Sequence, residues 1–316
     1  MRILITGVTG FVGQVLCAQA VQHGLAVSGA LRKPGKMPGS IDSVVVGEIN
    51  GATDWSLALR NVDVVIHLAA RVHVMKDTSA DPLAEFRKVN VQGTENLARQ
   101  AARAGVKRLV YVSSVKVNGE ASCGEQKFTE TDVPAPQDPY GTSKMEAEQA
   151  LLALSYTTGL EVVIVRPPLV YGPGVRANFL RLMQLVKMGI PLPLGAIHNR
   201  RSMVALDNLV DLLIVCAHHP AASGQTFMVS DDSDVSIPEL LHMLAGAMGR
   251  RSCLLPLPAG IIAGVAALFG KSAVASRLLG SLQVDIAHTK STLGWKPVVS
   301  MQEAVIKTVA HFLVHH

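Results

Sequence analysis

Aromatic residues make up only 4% of this 316-residue chain, too few to build the stacking platforms on which single-stranded nucleic acid is read. Charge is also thin, at 17% of residues, and Lys and Arg never run longer than two, as in Arg200-Arg201 and Arg250-Arg251. Without a basic stripe, the formal charge of +5 and a pI near 9.1 point to a small anionic substrate and away from DNA or RNA. The four cysteines, Cys17, Cys123, Cys216 and Cys253, stand far apart with no CxxC and no metal-ligand spacing. That pattern predicts free thiols in a reducing compartment and no metal site. No signal peptide is read ahead of the first strand, because the chain opens MRILITG already in structural register, so the expected location is cytoplasmic. Residues 254–270 carry no charge, but these 17 residues begin with two prolines and fall short of a span of about 20. They read as a buried or surface-packed helix, with a weak peripheral membrane contact left open. Repeats and low-complexity tracts are absent as well.

What is present is an apolar share of 49%, ample for a full core. The run RILIT is followed by a glycine turn and by FVGQVLCAQAVQHG, which has helical periodicity closed by Gly24. Strand-like runs recur at LAVSGAL, VDVVIHLAA, KRLVYVSS and LEVVIVRPP, with helical segments between them. Continuous Val and Ile runs belong to strands covered on both faces, so the fold class is α/β, with a Rossmann-like doubly wound parallel sheet. Right-handed crossovers then place all strand carboxyl ends on one edge, where a ligand sits. After Arg166, prolines 167, 168, 173, 191 and 193 loosen the pattern. The expected division is a cofactor domain over 1–166 and a smaller, mostly helical substrate lobe over 167–316, some of whose segments return to the main sheet.

Gly7, Gly10 and Gly13 lie in TGVTGFVG between the first strand and its helix. The first glycine serves a tight turn, the second lets backbone approach a pyrophosphate, and the third lets helix pack on sheet; the helix amino terminus then faces the phosphates. Tyr140 and Lys144 are four residues apart in a helical segment and share a face. A free tyrosine titrates near 10. A neighbouring ammonium favours the phenolate and makes Tyr140 a usable acid/base. Ser114 ends the preceding strand and offers a hydroxyl to the same substrate oxygen. At the end of the second strand, Arg32 and Lys33 stand where a carboxylate would accept from a ribose, which favours NADP(H) over NAD(H).

Taken in order, TGVTGFVG, HLAA (67–70), VNVQGT (89–94), SSVKVNG (113–119), YGTSK (140–144) and RPPLVYGPG (166–174) resemble the extended short-chain dehydrogenase/reductase family of the epimerase/dehydratase type. Its members largely modify nucleotide-activated sugars. The resemblance implies a catalytic set of Ser114, Tyr140 and Lys144. It also implies cofactor contacts from Gly7, Thr9, Gly10, Phe11, Val12, Gly13, Arg32, Lys33, Glu48, Ile49, Leu68, Ala69, Ala70, Asn90, Val112, Tyr140, Lys144 and Pro167, with His67 beside the channel. For substrate it implies Ser114, Lys116, Asn118, Tyr140, Asn178 and Arg201, with residues 189–195 as a uracil-gripping loop; the family's second diphosphate arginine has no clear match, Arg277 and Gln283 being weak candidates. The partners it implies are a UDP-sugar and a second copy of the chain in a homodimer.

The chain departs from many relatives at VKVNG, where Lys116 and Asn118 replace other residues, and Val115-Lys116 stand where a dehydratase carries an Asp-Glu pair. The departures and the basic strand end favour an NADPH-dependent 4-ketoreductase of a UDP-4-keto-6-deoxy-N-acetylhexosamine in surface polysaccharide synthesis. The alternative is a UDP-hexose or UDP-N-acetylhexosamine 4-epimerase with bound NAD. A non-catalytic cofactor-binding regulator is the remote third reading, since both Tyr140 and Lys144 are kept.

Overall fold

The Val and Ile runs form the centre of the molecule. The computed structural model describes residues 1–35, 37, 41–72, 81–122, 124, 126–270 and 272–315, without the side chains of 273, 274 and 277. Cys123 and the side chain of Arg277 thus lie outside the described residues. The first half runs β1 (Arg2–Thr6), α1 (Phe11–Gln22), β2 (Ala26–Leu31), β3 (Asp42–Val45), β4 (Val64–His67) and α2 (Pro82–Phe86). A π-helical turn (Arg87–Gly93) leads on to α3 (Thr94–Arg103), β5 (Arg108–Val112), α4 (Pro139–Thr158) and β6 (Glu161–Arg166). Then follow β7 (Leu169–Tyr171), α5 (Ala177–Met188), β8 (Met203–Ala205), α6 (Leu206–His218) and β9 (Thr226–Met228). The chain closes with α7 (Ile237–Ala247), α8 (Ala259–Leu268), α9 (Ser272–Leu279), α10 (Ala287–Leu293) and α11 (Met301–His315).

Seven strands form one sheet in the order β3-β2-β1-β4-β5-β6-β9, and every pairing in it is parallel. Successive strand residues point to opposite faces. Ile3 and Ile5 meet Leu16, Cys17 and Ala20 of α1 and Leu209, Leu212 and Leu213 of α6, whereas Leu4 meets Leu97 and Ala101 of α3 and Leu151 of α4. The sheet is therefore a Rossmann-like sheet covered on both sides, as its composition requires. Strand order reverses between β1 and β4, so the crevice for a ligand opens at the carboxyl ends of these two strands.

The helical C-terminal lobe has its own core, in which Phe179 and Met183 of α5, Leu240, Leu241 and Leu244 of α7, and Val305, Val309 and Phe312 of α11 pack together. Several segments from beyond residue 166 belong to the main core instead, among them α6, β9 and, through Leu293, α10. The helix α6 covers one face, and β9 extends the sheet at Ile164↔Thr226. Three short strands, β3, β7 and β8, carry no periodic signal long enough to read, and β3 is an exposed edge. Among the described residues, no helix is long and apolar enough to cross a membrane.

Candidate active site

The turn after β1 shows why glycine stands at its three positions. Gly7 has φ of 71°, in the left-handed region, and an added Cβ would lie 2.9 Å from Ala69 N. A Cβ on Gly13 would lie 2.2 Å from the Gly7 carbonyl oxygen, so the first turn of α1 sits directly on the glycine turn. Gly10 is the N-cap of α1, exposed, with no side-chain cap and no acidic residue in the first turn. The leading N–H groups of this helix have no side chain competing for them, which suits the pyrophosphate of a dinucleotide. Thr9 is exposed, and Phe11 and Val12 lean on the sheet core. Gly13→Ala is expected to cost about 2–3 kcal/mol by overpacking and to weaken dinucleotide binding at least tenfold. Paired denaturant and NAD titrations check both.

Across the switch point, Leu68, Ala69 and Ala70 follow β4 and are partly buried. Ala69 N donates to Thr6 Oγ1 (3.1 Å), and His67, fully buried, is bracketed by Thr6 Oγ1 (2.7 Å) and Thr94 Oγ1 (3.0 Å). Burial, helped by the nearby Lys144 ammonium, pushes the His67 imidazole down to about 3, so the ring stays neutral and acts as a brace. Asn90 is equally fixed. Its Oδ1 accepts from Arg71 N (2.8 Å), and its Nδ2 donates to Arg71 O and Ser143 Oγ (3.0 Å each). Ser143 Oγ in turn donates to Tyr140 O (2.8 Å). Asn90 sits in the π-helical turn and ties the end of β4 to the helix that carries Tyr140. The other cofactor candidates are Glu48, exposed, Ile49, half-buried against Gly93, and Arg32 and Lys33, exposed in the loop after β2.

The helix α4 starts where Asp138 accepts from Gly141 N (2.7 Å) and Pro139 sets the first turn. That start places partly buried Tyr140 one turn ahead of Lys144, which is 2% exposed. Lys144 Nζ donates to the Val112 carbonyl (2.8 Å) and lies 4.5 Å from the Tyr111 ring centroid and 5.9 Å from that of Tyr140. Phe86 packs edge-on against Tyr140 at 6.0 Å. Burial, reinforced by the Asp138 carboxylate, raises the Tyr140 phenol above its ordinary value. Burial also pulls the Lys144 ammonium down to about 7, against the opposing pull of Glu148. Ser114, at the end of β5, caps a short 3-10 turn by accepting from Lys116 N (3.2 Å), and Gly141 packs on the Lys116 carbonyl. The serine segment and the tyrosine helix are thus locked together.

Lys144 predicts a pH signature. Its folded value near 7 lies below the unfolded 10.5, so the folded chain binds fewer protons between those limits. The cost of burying the charge is present in full below pH 7 and vanishes above about 10.5. Lys144→Met is therefore expected to stabilise the cofactor-free chain by about 2–4 kcal/mol at low pH and by little at high pH. Urea midpoints of both proteins at the two ends of that range check it; a gain that does not shrink as pH rises would remove the assignment.

The substrate candidates divide into engaged and free groups. Lys116 pairs closely with Asp138 and reaches Glu120 at 3.4 Å, while Asn178 stands exposed in the first turn of α5. Arg201, half-buried, donates to the Gly280 carbonyl (2.9 Å), and Gln283 donates to Asp234 (2.8 Å). Asn118 is 3% exposed, donates to Thr129 O (2.8 Å) and accepts from Arg166 Nη1 (3.1 Å). Pro167 is buried, its carbonyl taken by Val115 N (3.0 Å). Sequence reasoning missed Thr6, Thr94 and the buried pair of Arg166 with Glu148. It also missed Asp138, although an Asp-Pro step before Tyr140 is a readable helix start.

The sequence model of the NAD dependent epimerase/dehydratase family matches residues 3–230. The chain belongs to this family. It is 49% identical over 314 residues to the UDP-glucose 4-epimerase of Vibrio cholerae, covering 98% of this chain and 95% of that protein. A more distant relative is N-acetyl-alpha-D-glucosaminyl-diphospho-ditrans,octacis-undecaprenol 4-epimerase of Escherichia coli O157:H7, 25% identical over 99% of this chain and 96% of its own length. Among solved structures, MoeE5 in complex with UDP-glucose and NAD superposes with a TM-score of 0.78 at 26% identity, over 99% of both chains.

The NAD in that complex, and in the complex of MoeE5 with UDP-glucuronic acid and NAD, corrects the expectation of NADP(H) for this epimerase/dehydratase family member. The physical reason lies at Arg32 and Lys33. Both are exposed, and a solvated cation gains little from an added phosphate. Missing a carboxylate removes a repulsion without creating a requirement.

Proposed function

We propose that this chain is a 4-epimerase of a UDP-hexose or UDP-N-acetylhexosamine with bound NAD. The observation that carries the reading is the full-length 49% identity to a UDP-glucose 4-epimerase. The site supports it: a glycine turn with an uncapped helix end, and Tyr140 and Lys144 on one helix face beside the strand ends. NAD, when bound, supplies the reversible two-electron acceptor for a sugar carbinol.

The chain's own residues handle the proton. Tyr140 takes it from the C4 hydroxyl as that carbon is oxidised, and returns it when the ketone is reduced on its other face. Where Lys144 is protonated, below about pH 7, its ammonium 5.9 Å from the Tyr140 ring centroid favours the phenolate against the burial that favours the neutral phenol. Ser114 steadies the same oxygen, with Arg201 and Asn178 toward the diphosphate. The net reaction inverts one carbon and consumes no redox equivalent. The homodimer implied by the resemblance and the cytoplasmic location read from the sequence belong to the same reading.

The 4-ketoreductase reading loses the support it drew from Arg32 and Lys33. The test is to give the purified protein UDP-glucose and UDP-N-acetylglucosamine without added cofactor and to follow their 4-epimers by chromatography. Interconversion supports the epimerase. Absence of both products, together with stoichiometric cofactor oxidation on UDP-4-keto-6-deoxy-N-acetylglucosamine, would replace it with the reductase.

A further inference from the structure

The helix α8 is built of AGIIAGVAAL and has no buried residue, although all ten of its residues are apolar or glycine. Ile261, Val265 and Leu268, spaced to share one face, are 53%, 50% and 86% exposed, and Phe269 beside them is 75% exposed. A folded chain leaves such a stripe in water only at a cost, and patches of this kind mark contact surfaces. Between α8 and Pro193 runs an apolar groove of about 300 Å³, lined also by Leu257, Ile262 and Ala266.

The stretch of sequence that carries this face holds charge of one sign: residues 240–284 contain Arg250, Arg251, Lys271 and Arg277 and no Asp or Glu. Arg250 and Arg251 are exposed just ahead of the apolar stretch. A second copy docking through this face would set cations against cations. An anionic bilayer surface offers both an apolar layer for the stripe and negative headgroups for the arginines.

We propose that α8 and its basic flank dock this protein on anionic phospholipid bilayers, the helix lying in the interface. At ten residues the helix cannot span. Docking also bears on the substrate lobe, because the segment leading to α8 is bonded to the 189–195 loop. Leu192 N donates to Cys253 O (2.9 Å), Leu255 N to Leu192 O (2.8 Å) and Gly195 N to Leu255 O (2.9 Å). A docked α8 holds that loop, which the family resemblance gives to the nucleotide, close to the membrane surface.

The full-length protein is sedimented with vesicles of phosphatidylcholine alone and with about one third phosphatidylglycerol, at low and high salt. Binding is expected to the anionic vesicles only and to weaken with salt. Leu268→Asp with Phe269→Asp is expected to lower the partition coefficient about tenfold or more, and each of Arg250→Glu and Arg251→Glu about fivefold or more. An unchanged thermal midpoint shows that a variant is folded, and the readout does not depend on which sugar is turned over. No binding to anionic vesicles, or equal binding by the Leu268→Asp, Phe269→Asp protein, overturns the proposal. So does a wild-type dimer in light scattering that this variant reduces to monomer, since the face would then be covered by a second copy.

Discussion

Tyr140→Phe is expected to lower kcat for epimerisation about a thousandfold with the fold and NAD binding retained. The phenyl ring keeps the edge contact with Phe86, and only the hydroxyl is removed. What goes is the hydroxyl that the proposed mechanism uses as acid/base, and a thousandfold loss corresponds to about 4 kcal/mol of transition-state stabilisation. Steady-state rates with a parallel NAD titration decide it. Retention of more than about a tenth of the activity would show that another group moves the proton.

The second large effect is on stability. Arg166 and Glu148 are 6% and 5% exposed at their side chains and make a two-pronged pair, Nε to Oε1 at 3.0 Å and Nη2 to Oε2 at 2.6 Å. Asn118 Oδ1 accepts a further bond from the guanidinium. Glu148→Leu leaves a buried cation with one neutral partner and is expected to destabilise the fold by about 3–5 kcal/mol. Adding Arg166→Met is expected to recover most of the loss, because the paired charges are replaced together by apolar groups. Urea denaturation of the two variants checks both statements, and a double variant no more stable than the single would refute the desolvation account. The single variant also removes the carboxylate that favours the Lys144 ammonium, so its kcat at neutral pH should fall beyond what unfolding explains.

Both predictions rest on α4, and the sequence shows only half of that helix's role. Tyr140 and Lys144 are legible because a spacing of four is a local property of helical geometry. Glu148, one further turn along, is as local, but its meaning depends on Arg166 at the end of β6, which only the folded sheet brings underneath it. Asn118 is the sharper case. Its place in VKVNG suggested a substrate contact, whereas the structure spends its amide on Arg166 and Thr129, a use that no spacing encodes.

The cofactor preference went astray for a related reason. Charge and position make Arg32 and Lys33 look like phosphate contacts, but charge in a sequence carries no direction, and both residues are exposed to water.

By itself the sequence determined the sheet class, the glycine turn and the shared helix face of Tyr140 and Lys144. Each depends on steric and periodic rules among residues a few positions apart: Val and Ile runs need two covered faces, a positive φ needs glycine, and a four-residue step needs one helix face. Tertiary structure alone decided that β9 and α6 join the main core, that Asn90 and His67 act as braces, and that α8 is left without cover. Those outcomes depend on which distant surfaces meet and exclude water, and desolvation is a property of the assembled fold that no single segment carries.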